Sequence, residues 1–500
     1  MDVQEQTIRS VQRAYAIGEA SCRDLTQQYL ERIEQYDAAG PHINSVIATN
    51  PDAMRQAEQR DRVLEEKAPV GPLHGVHIMV KDQIDVRGMP TTLGSVLFRE
   101  FHPRGDATVI RKLRDAGAII LGKTTLGEMG AGDAHGSLFG STRNPYDSLR
   151  TAGGSSGGSA AAVTANFTCA AIGQEGLSSI MRPSAWNSVV GMRPTSGLVS
   201  RAGAFSGWPN RTSSIGPIAR TVEDVARLLD VLAGYDPLDP QTAYGKRRLQ
   251  RSFVSALDPD ALEGARIGVL RQSVGIGSDP DSADFKDVTD VFDRAVDELR
   301  RCGAHVVDPV IIPSLQELLS RRAFENGAES FSTWMHAHTD TPFMSYEELI
   351  RQPEYMELRA KRSNGHLGLF GSNDYGSFLR AREELFGNFM RVLAEHELDA
   401  LVHKSVEHTA TAVADGIKPP YVDGKGAMQL NTFLNYVPSI SVPVGYSRSD
   451  LPVGVSFVAR PFDDRLAIAY AYAYENATWH RRQPVLVTDG PHRSLPPASC

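Results

Sequence analysis

The feature that most constrains this chain is a recurrence of short apolar strands separated by amphipathic helices. Residues 75–81 read Gly-Val-His-Ile-Met-Val-Lys, so Val76, Ile78 and Val80 share one face, the period-two pattern of a strand. Residues 106–117 read as a helix with Asp106 as cap and Gly117 as stop, and residues 118–122 as a fully buried strand. Strand, helix, strand at this spacing predicts a βαβ unit with parallel strands. The pattern returns as a strand at 266–270, a helix at 284–301 and a strand at 304–307. It returns again as strands at 438–444 and 452–459 before a helix near 463–478, with the prolines at strand ends or off the ladder. A helix over 22–37 opens the chain, with Leu25, Tyr29, Leu30 and Ile33 on one face and Ser21 as cap. The expected fold class is α/β: a large, mixed, mostly parallel twisted sheet covered by helices on both faces.

Residues 1–480 are expected to form one domain, and the Pro-rich, polar residues 481–500 a loose tail. The stretch from about 315 to 430 differs in texture. It is charged and helical with a long connection over 363–373, and reads either as an insertion capping a substrate pocket or as a solvated helical cap. No internal repeat is present.

Composition excludes several classes. Hydrophobic residues make up 41%, enough for a large core, and the net charge of −8 argues against nucleic acid as a partner. The polar start Met1–Gln6 is not expected to act as a signal peptide, and no run of about 18 apolar residues is present to predict a membrane span. Cys22, Cys169, Cys302 and Cys500 lack any CxxC spacing, so neither a disulfide framework nor a zinc site is expected. A cytoplasmic enzyme without cofactor or metal is the resulting expectation. The competing metal-dependent amidohydrolase would rest on His336-Ala-His338 and the nearby pair His74 and His77. No distant ligand cluster matches them, and packed or exposed histidines are the simpler expectation.

Residues 151–160 read Thr-Ala-Gly-Gly-Ser-Ser-Gly-Gly-Ser-Ala and lead into an Ala-rich helix. Two glycine pairs around two serines describe a tight backbone ending at a helix N-terminus, where N–H groups favour developing negative charge. Alone, such a run is also compatible with a flexible loop or a phosphate cradle, but it lacks the Gly-Lys-Ser/Thr ending of a Walker loop.

The wider stretch 70–200 is more specific. It contains Gly71-Pro-Leu-His-Gly-Val-His-Ile-Met-Val-Lys-Asp82, Leu121-Gly-Lys-Thr-Thr-Leu-Gly-Glu128, Thr142-Arg-Asn-Pro-Tyr-Asp147, Ser179-Ile180 with Pro183, and Val190-Gly-Met-Arg-Pro-Thr-Ser-Gly-Leu-Val199. With Ser439–Val444 and Leu451–Val455, these segments resemble the amidase signature family over roughly residues 5–480. The resemblance implies that family's fold and a Ser-cisSer-Lys triad. Lys81 stands in the family's Val-Lys-Asp context. Ser155 is the first serine of Gly-Gly-Ser-Ser-Gly-Gly and the bridging serine, after a cis bond from Gly154. Ser179, 24 residues further on, is the nucleophile. Such a relay suits amide cleavage: a neutral lysine takes a proton through one serine from another, an acyl-enzyme forms, and the relay reversed protonates the leaving amine. Burial lowers a lysine pKa from about 10.4.

The chain departs from the family at the nucleophile loop. The family writes Thr-Asp-Thr-Gly-Gly-Ser-Ile-Arg where residues 174–181 read Gln-Glu-Gly-Leu-Ser-Ser-Ile-Met. The family's oxyanion hole uses backbone N–H groups of this loop, here those of Gly176, Leu177, Ser178 and Ser179. A positive φ would strain Leu177, and Gly176 could carry that burden instead. Asp82 reads as an anchor of the site or a structural cap, and Arg182 as a surface charge. The implied partner is a small-molecule amide or carbamate, with a homodimer compatible. Phe205, Trp208, Phe331, Trp334 and Phe370 are candidates for an apolar pocket favouring aryl or hydrophobic groups, with plain core the other reading of each. The A subunit of a tRNA-dependent amidotransferase shares the same motifs and is the non-autonomous alternative.

Overall fold

The computed structural model describes residues 1–487 apart from 69, 208–209, 211, 247, 249–250, 324–326, 339 and 365–373. Trp208, Phe370, most of the 363–373 connection and the tail beyond 487 therefore lie outside the described residues. Eleven strands form one sheet. In chain order they are β1 (Val46–Thr49), β2 (His77–Lys81), β3 (Ile119–Thr124), β4 (Ala170–Glu175), β5 (Val190–Arg193) and β6 (Ser214–Ala219). They continue as β7 (Arg266–Leu270), β8 (His305–Val310), β9 (Ala400–Lys404), β10 (Ser439–Tyr446) and β11 (Pro452–Val458). Their order across the sheet is β1-β3-β2-β4-β6-β5-β10-β11-β9-β7-β8.

The sheet is mixed, and its parallel pairs are confined to two places. β2 runs parallel to β3 and β4, and β7 runs parallel to β8 and β9. The remaining neighbours are antiparallel, so the expected parallel character holds only in these two βαβ regions. Connection length is one reason: β10 and β11 are joined by residues 447–451 alone, too short for a crossover.

Helices cover both faces. Ile78 and Val80 of β2 pack with Val109, Ile110 and Leu113 of helix Thr108–Asp115. Met79, on the opposite face, packs with Leu25 and Tyr29 of helix Cys22–Ile33 and with Ala160–Val163 of helix Gly157–Thr164. Ser21 caps the first of these as expected, its hydroxyl accepting from the Asp24 N–H at 3.0 Å. Asp106 does not cap its helix. It accepts from the Arg87 N–H at 2.8 Å and pairs with Arg114 at 3.1 Å. Within 315–430, β9 is an integral strand of the sheet, while helices Leu315–Ser320 through Tyr375–Glu395 precede it. Among the described residues no helix is long and apolar enough to cross a membrane.

Candidate active site

Between Thr151 and Ser200 every residue is buried except Gly176, Leu177 and Ser179. The turn that follows β4 holds the only residues of this stretch that are not buried. The elements behind that turn bring Lys81 to Ser155 and hold the Ser179 backbone against Ser156, the residue next to Ser155.

Lys81 is the last residue of β2 and is fully buried. Its Nζ donates to Ser155 Oγ at 2.7 Å and to the Gln174 carbonyl at 3.1 Å. Burial pushes its amine well below the ordinary lysine value, the Glu175 charge opposing. Ser155 follows a cis peptide bond from Gly154. Glycine is required at 154 because a Cβ there would lie 2.2 Å from the Gly132 carbonyl oxygen. Arg182 Nη2 donates to the Gly154 carbonyl at 3.1 Å and meets Asp133 at 2.6 Å. Arg182 is thus a buried brace of the serine turn, not the surface charge expected from its position. Burial raises the Asp133 carboxyl to about 7 against the pull of Arg182.

The next residue stitches the two serine segments together. The Ser156 N–H donates to the Ser179 carbonyl at 3.0 Å, and Ser156 Oγ donates to the Gln174 carbonyl at 3.1 Å. The 176–179 turn is held from beneath by Glu175, the last residue of β4. Its Oε2 accepts from the N–H groups of Ile180 at 2.6 Å and Met181 at 2.9 Å, and its Oε1 accepts from Asn431 Nδ2 at 2.5 Å. Burial raises this carboxyl, with Arg193 and those donors holding it down. Thr432 Oγ1 donates to the Gly176 carbonyl at 3.3 Å.

None of residues 176–179 has a positive φ. The turn does not need glycine, which is why Leu177 and Ser178 fit without strain. The amide N–H groups of these four residues donate to no other described residue. The Ser178 side chain is buried and its Oγ has no partner among the described residues.

Asp82 belongs elsewhere. Its Oδ2 accepts from the Thr92 N–H at 2.9 Å and Thr92 Oγ1 at 2.5 Å, and its Oδ1 pairs with Lys123 at 3.2 Å. The histidines are likewise held by other partners. His338 Nε2 meets Asp85 at 2.9 Å, His74 Nε2 meets the Arg60 carbonyl at 3.1 Å, and His77 Nε2 meets Thr26 Oγ1 at 2.6 Å. His336 is exposed, and the described residues contain no group of three or more metal-ligating side chains. Phe205, Phe331 and Trp334 come together, but in a buried cluster with Phe98 and Phe101. Phe205 lies 6.0 Å from Phe331 and 5.5 Å from Trp334, ring to ring, so these rings are core. A cleft of about 350 Å³ opens over the Asp133 loop, lined also by Glu128, Asp423 and, from helix Pro353–Asn364, Glu354, Glu357 and Leu358. The bracing residues Asp133, Asn431 and Thr432 had no sequence signal, because each reaches the site from a distant segment; Arg193 lay within the Val190–Val199 motif, which did not reveal its contact with Glu175.

Sheet, buried lysine and paired serine turns together define an enzyme class that acts on amide C–N bonds. The chain belongs to the amidase family, whose model matches residues 24–468. It is 33% identical over 498 residues to the A subunit of the glutamyl-tRNA(Gln) amidotransferase of Thermosynechococcus vestitus, covering 96% of this chain and 99% of that one. Among solved structures, the native peptide amidase of Stenotrophomonas maltophilia is similar with a TM-score of 0.84 and 34% identity, covering 97% of this chain and 99% of that one. The A subunit of the glutamyl-tRNA(Gln) amidotransferase of Thermotoga maritima is similar with a TM-score of 0.76 and 27% identity, covering 97% and 99%.

Proposed function

We propose that this enzyme cleaves a carboxamide C–N bond through an acyl-enzyme on Ser179, with Ser155 as relay and Lys81 as base. The observation that carries the reading is a fully buried lysine whose side chain bonds a serine hydroxyl and a carbonyl, and whose amine is pushed below the ordinary lysine range. A neutral Lys81 accepts the Ser155 proton while Ser155 takes that of Ser179, freeing Ser179 Oγ to attack the carbonyl carbon. The N–H groups of 176–179, which donate to no other described residue, receive the oxyanion, each worth on the order of 3 kcal/mol. The relay then returns its proton to the amine nitrogen as the C–N bond breaks, and water releases the acyl group by the same steps.

Two readings of the substrate share this chemistry. In the first, the chain alone hydrolyses a small-molecule amide, aryl or hydrophobic, or a related carbamate or ester; the likeness to a peptide amidase supports it. In the second, the chain is the A component of a tRNA-dependent amidotransferase and works in a complex. The curated relatives weigh toward this second reading, since several that match nearly the whole chain carry that name. The Gln174–Ser178 segment, which departs from the usual loop, weighs toward the first.

A fluorophosphonate is expected to modify the Ser179 peptide, as read by mass spectrometry, and EDTA to leave turnover unchanged. An adduct on Ser178 would shift the nucleophile by one residue and overturn the assignment. Purified chain that hydrolyses a peptide amide or anilide unaided supports the first reading; turnover only with partner proteins supports the second.

A further inference from the structure

Resting on the acyl-enzyme reading above, we propose that Leu177, backed by the buried Ile276 and Ala427, forms an apolar wall that selects substrates by the group attached to the scissile carbonyl. Leu177 lies two residues before Ser179, and it is one of only three residues between Thr151 and Ser200 that are not buried. Its side chain packs on Ile276 and Ala427, which are themselves buried. Those two residues are tied to each other: the Ile276 N–H donates to the Ala427 carbonyl at 3.0 Å, and the Gly426 N–H to the Ile276 carbonyl at 2.7 Å. The wall is therefore a fixed surface carried by the segments after β7 and before β10, not a mobile side chain.

Chemistry assigns its occupant. The leaving amine takes its proton from the Ser155–Lys81 relay, which is anchored on the Gln174 carbonyl, so the amine lies toward that relay. Leu177 packs on a different part of the molecule, which leaves the acyl group to meet it. A leucine at this position adds apolar surface next to the reacting carbon, and apolar surface there discriminates between acyl groups differing by a few methylenes. Because the turn has no positive φ, it accommodates the side chain without distorting the N–H donors.

The test is the rate at which methyl and butyl fluorophosphonates modify Ser179. In this reaction Ser179 Oγ bonds to phosphorus, fluoride leaves and the hydroxyl proton passes to the relay. The unaltered enzyme is expected to favour the butyl probe. Leu177→Ala should lower the butyl-to-methyl ratio by about tenfold. Ile276→Ala, which lies outside the nucleophile turn, should lower it in the same direction by several-fold. A ratio unchanged in both variants, with the adduct still on Ser179, overturns the wall alone. An adduct on another residue overturns the nucleophile assignment itself, and the wall with it.

Discussion

β2 and β3 lie side by side, and each buries a lysine near its C-terminal end. Lys81 closes β2, and Lys123 sits across from Val80 on β3. Both side chains are completely buried, but their surroundings differ. Lys123 meets the Asp82 carboxylate at 3.2 Å and also donates to the Pro90 carbonyl at 2.9 Å. Lys81 meets a hydroxyl and a carbonyl, Ser155 Oγ and Gln174 O, and bonds no carboxylate among the described residues. One lysine has a buried counter-charge and ties a loop to the sheet. The other bonds no carboxylate among the described residues, and burial favours its neutral form against the opposing charge of nearby Glu175. In the proposed mechanism the buried amine that serves as base is the one with no carboxylate in hydrogen-bond reach, while its neighbour on the next strand is paired directly.

Breaking each lysine should separate the two roles. Lys81→Ala and Ser155→Ala are expected to lower amide turnover by about 10³-fold or more while leaving the fold intact, as judged by circular dichroism. Nitrophenyl ester turnover should fall less, since that leaving group departs without a proton. Equal losses would restrict the relay to attack on the carbonyl. Lys123→Met should act on stability instead. It leaves Asp82 buried without its ion pair, a loss of about 3–5 kcal/mol, seen as a lower denaturant midpoint or poor soluble yield.

The smallest effect is a gain. The folded Lys81 pKa lies below its unfolded value of about 10.4, so between the two the unfolded chain holds the extra proton and native stability rises with pH. Lys81→Met removes that handicap. Its melting temperature should exceed that of the unaltered enzyme by roughly 1–3 °C at neutral pH, with the difference shrinking as pH approaches 10. A difference independent of pH would show that packing, not protonation, is responsible.

Sequence made the proposed reacting residues legible because the chemistry forces local signatures. Close approach at Gly154 and the serine turn demand glycine, and Lys81 must end an apolar strand. The supports were not legible. Whether Asp82 serves Lys81 or Lys123 depends on the register of β2 against β3 and on where the chain turns after Lys81. Arg182 looks like any charge on a short helix until the fold brings Asp133 beside it. Glu175 is adjacent to the turn in sequence, but Asn431 and Thr432 arrive from the far half of the chain. The aromatic residues stayed open between pocket lining and core because size and apolarity alone do not distinguish the two. Phe205, Phe331 and Trp334 satisfy one another. The single residue Leu177, a departure from the family pattern, lies on the accessible turn instead.

The central claim is that Lys81 works as a neutral amine, and the pH dependence of acylation tests it most directly. Single-turnover cleavage of an anilide with enzyme in excess should rise tenfold per pH unit and then level off. The inflection should fall clearly below the ordinary lysine value of about 10.4, and the limb should be lost in Lys81→Ala. A rate that is flat from about pH 5.5 to about 10.5, or an inflection at the ordinary lysine value, would contradict the account.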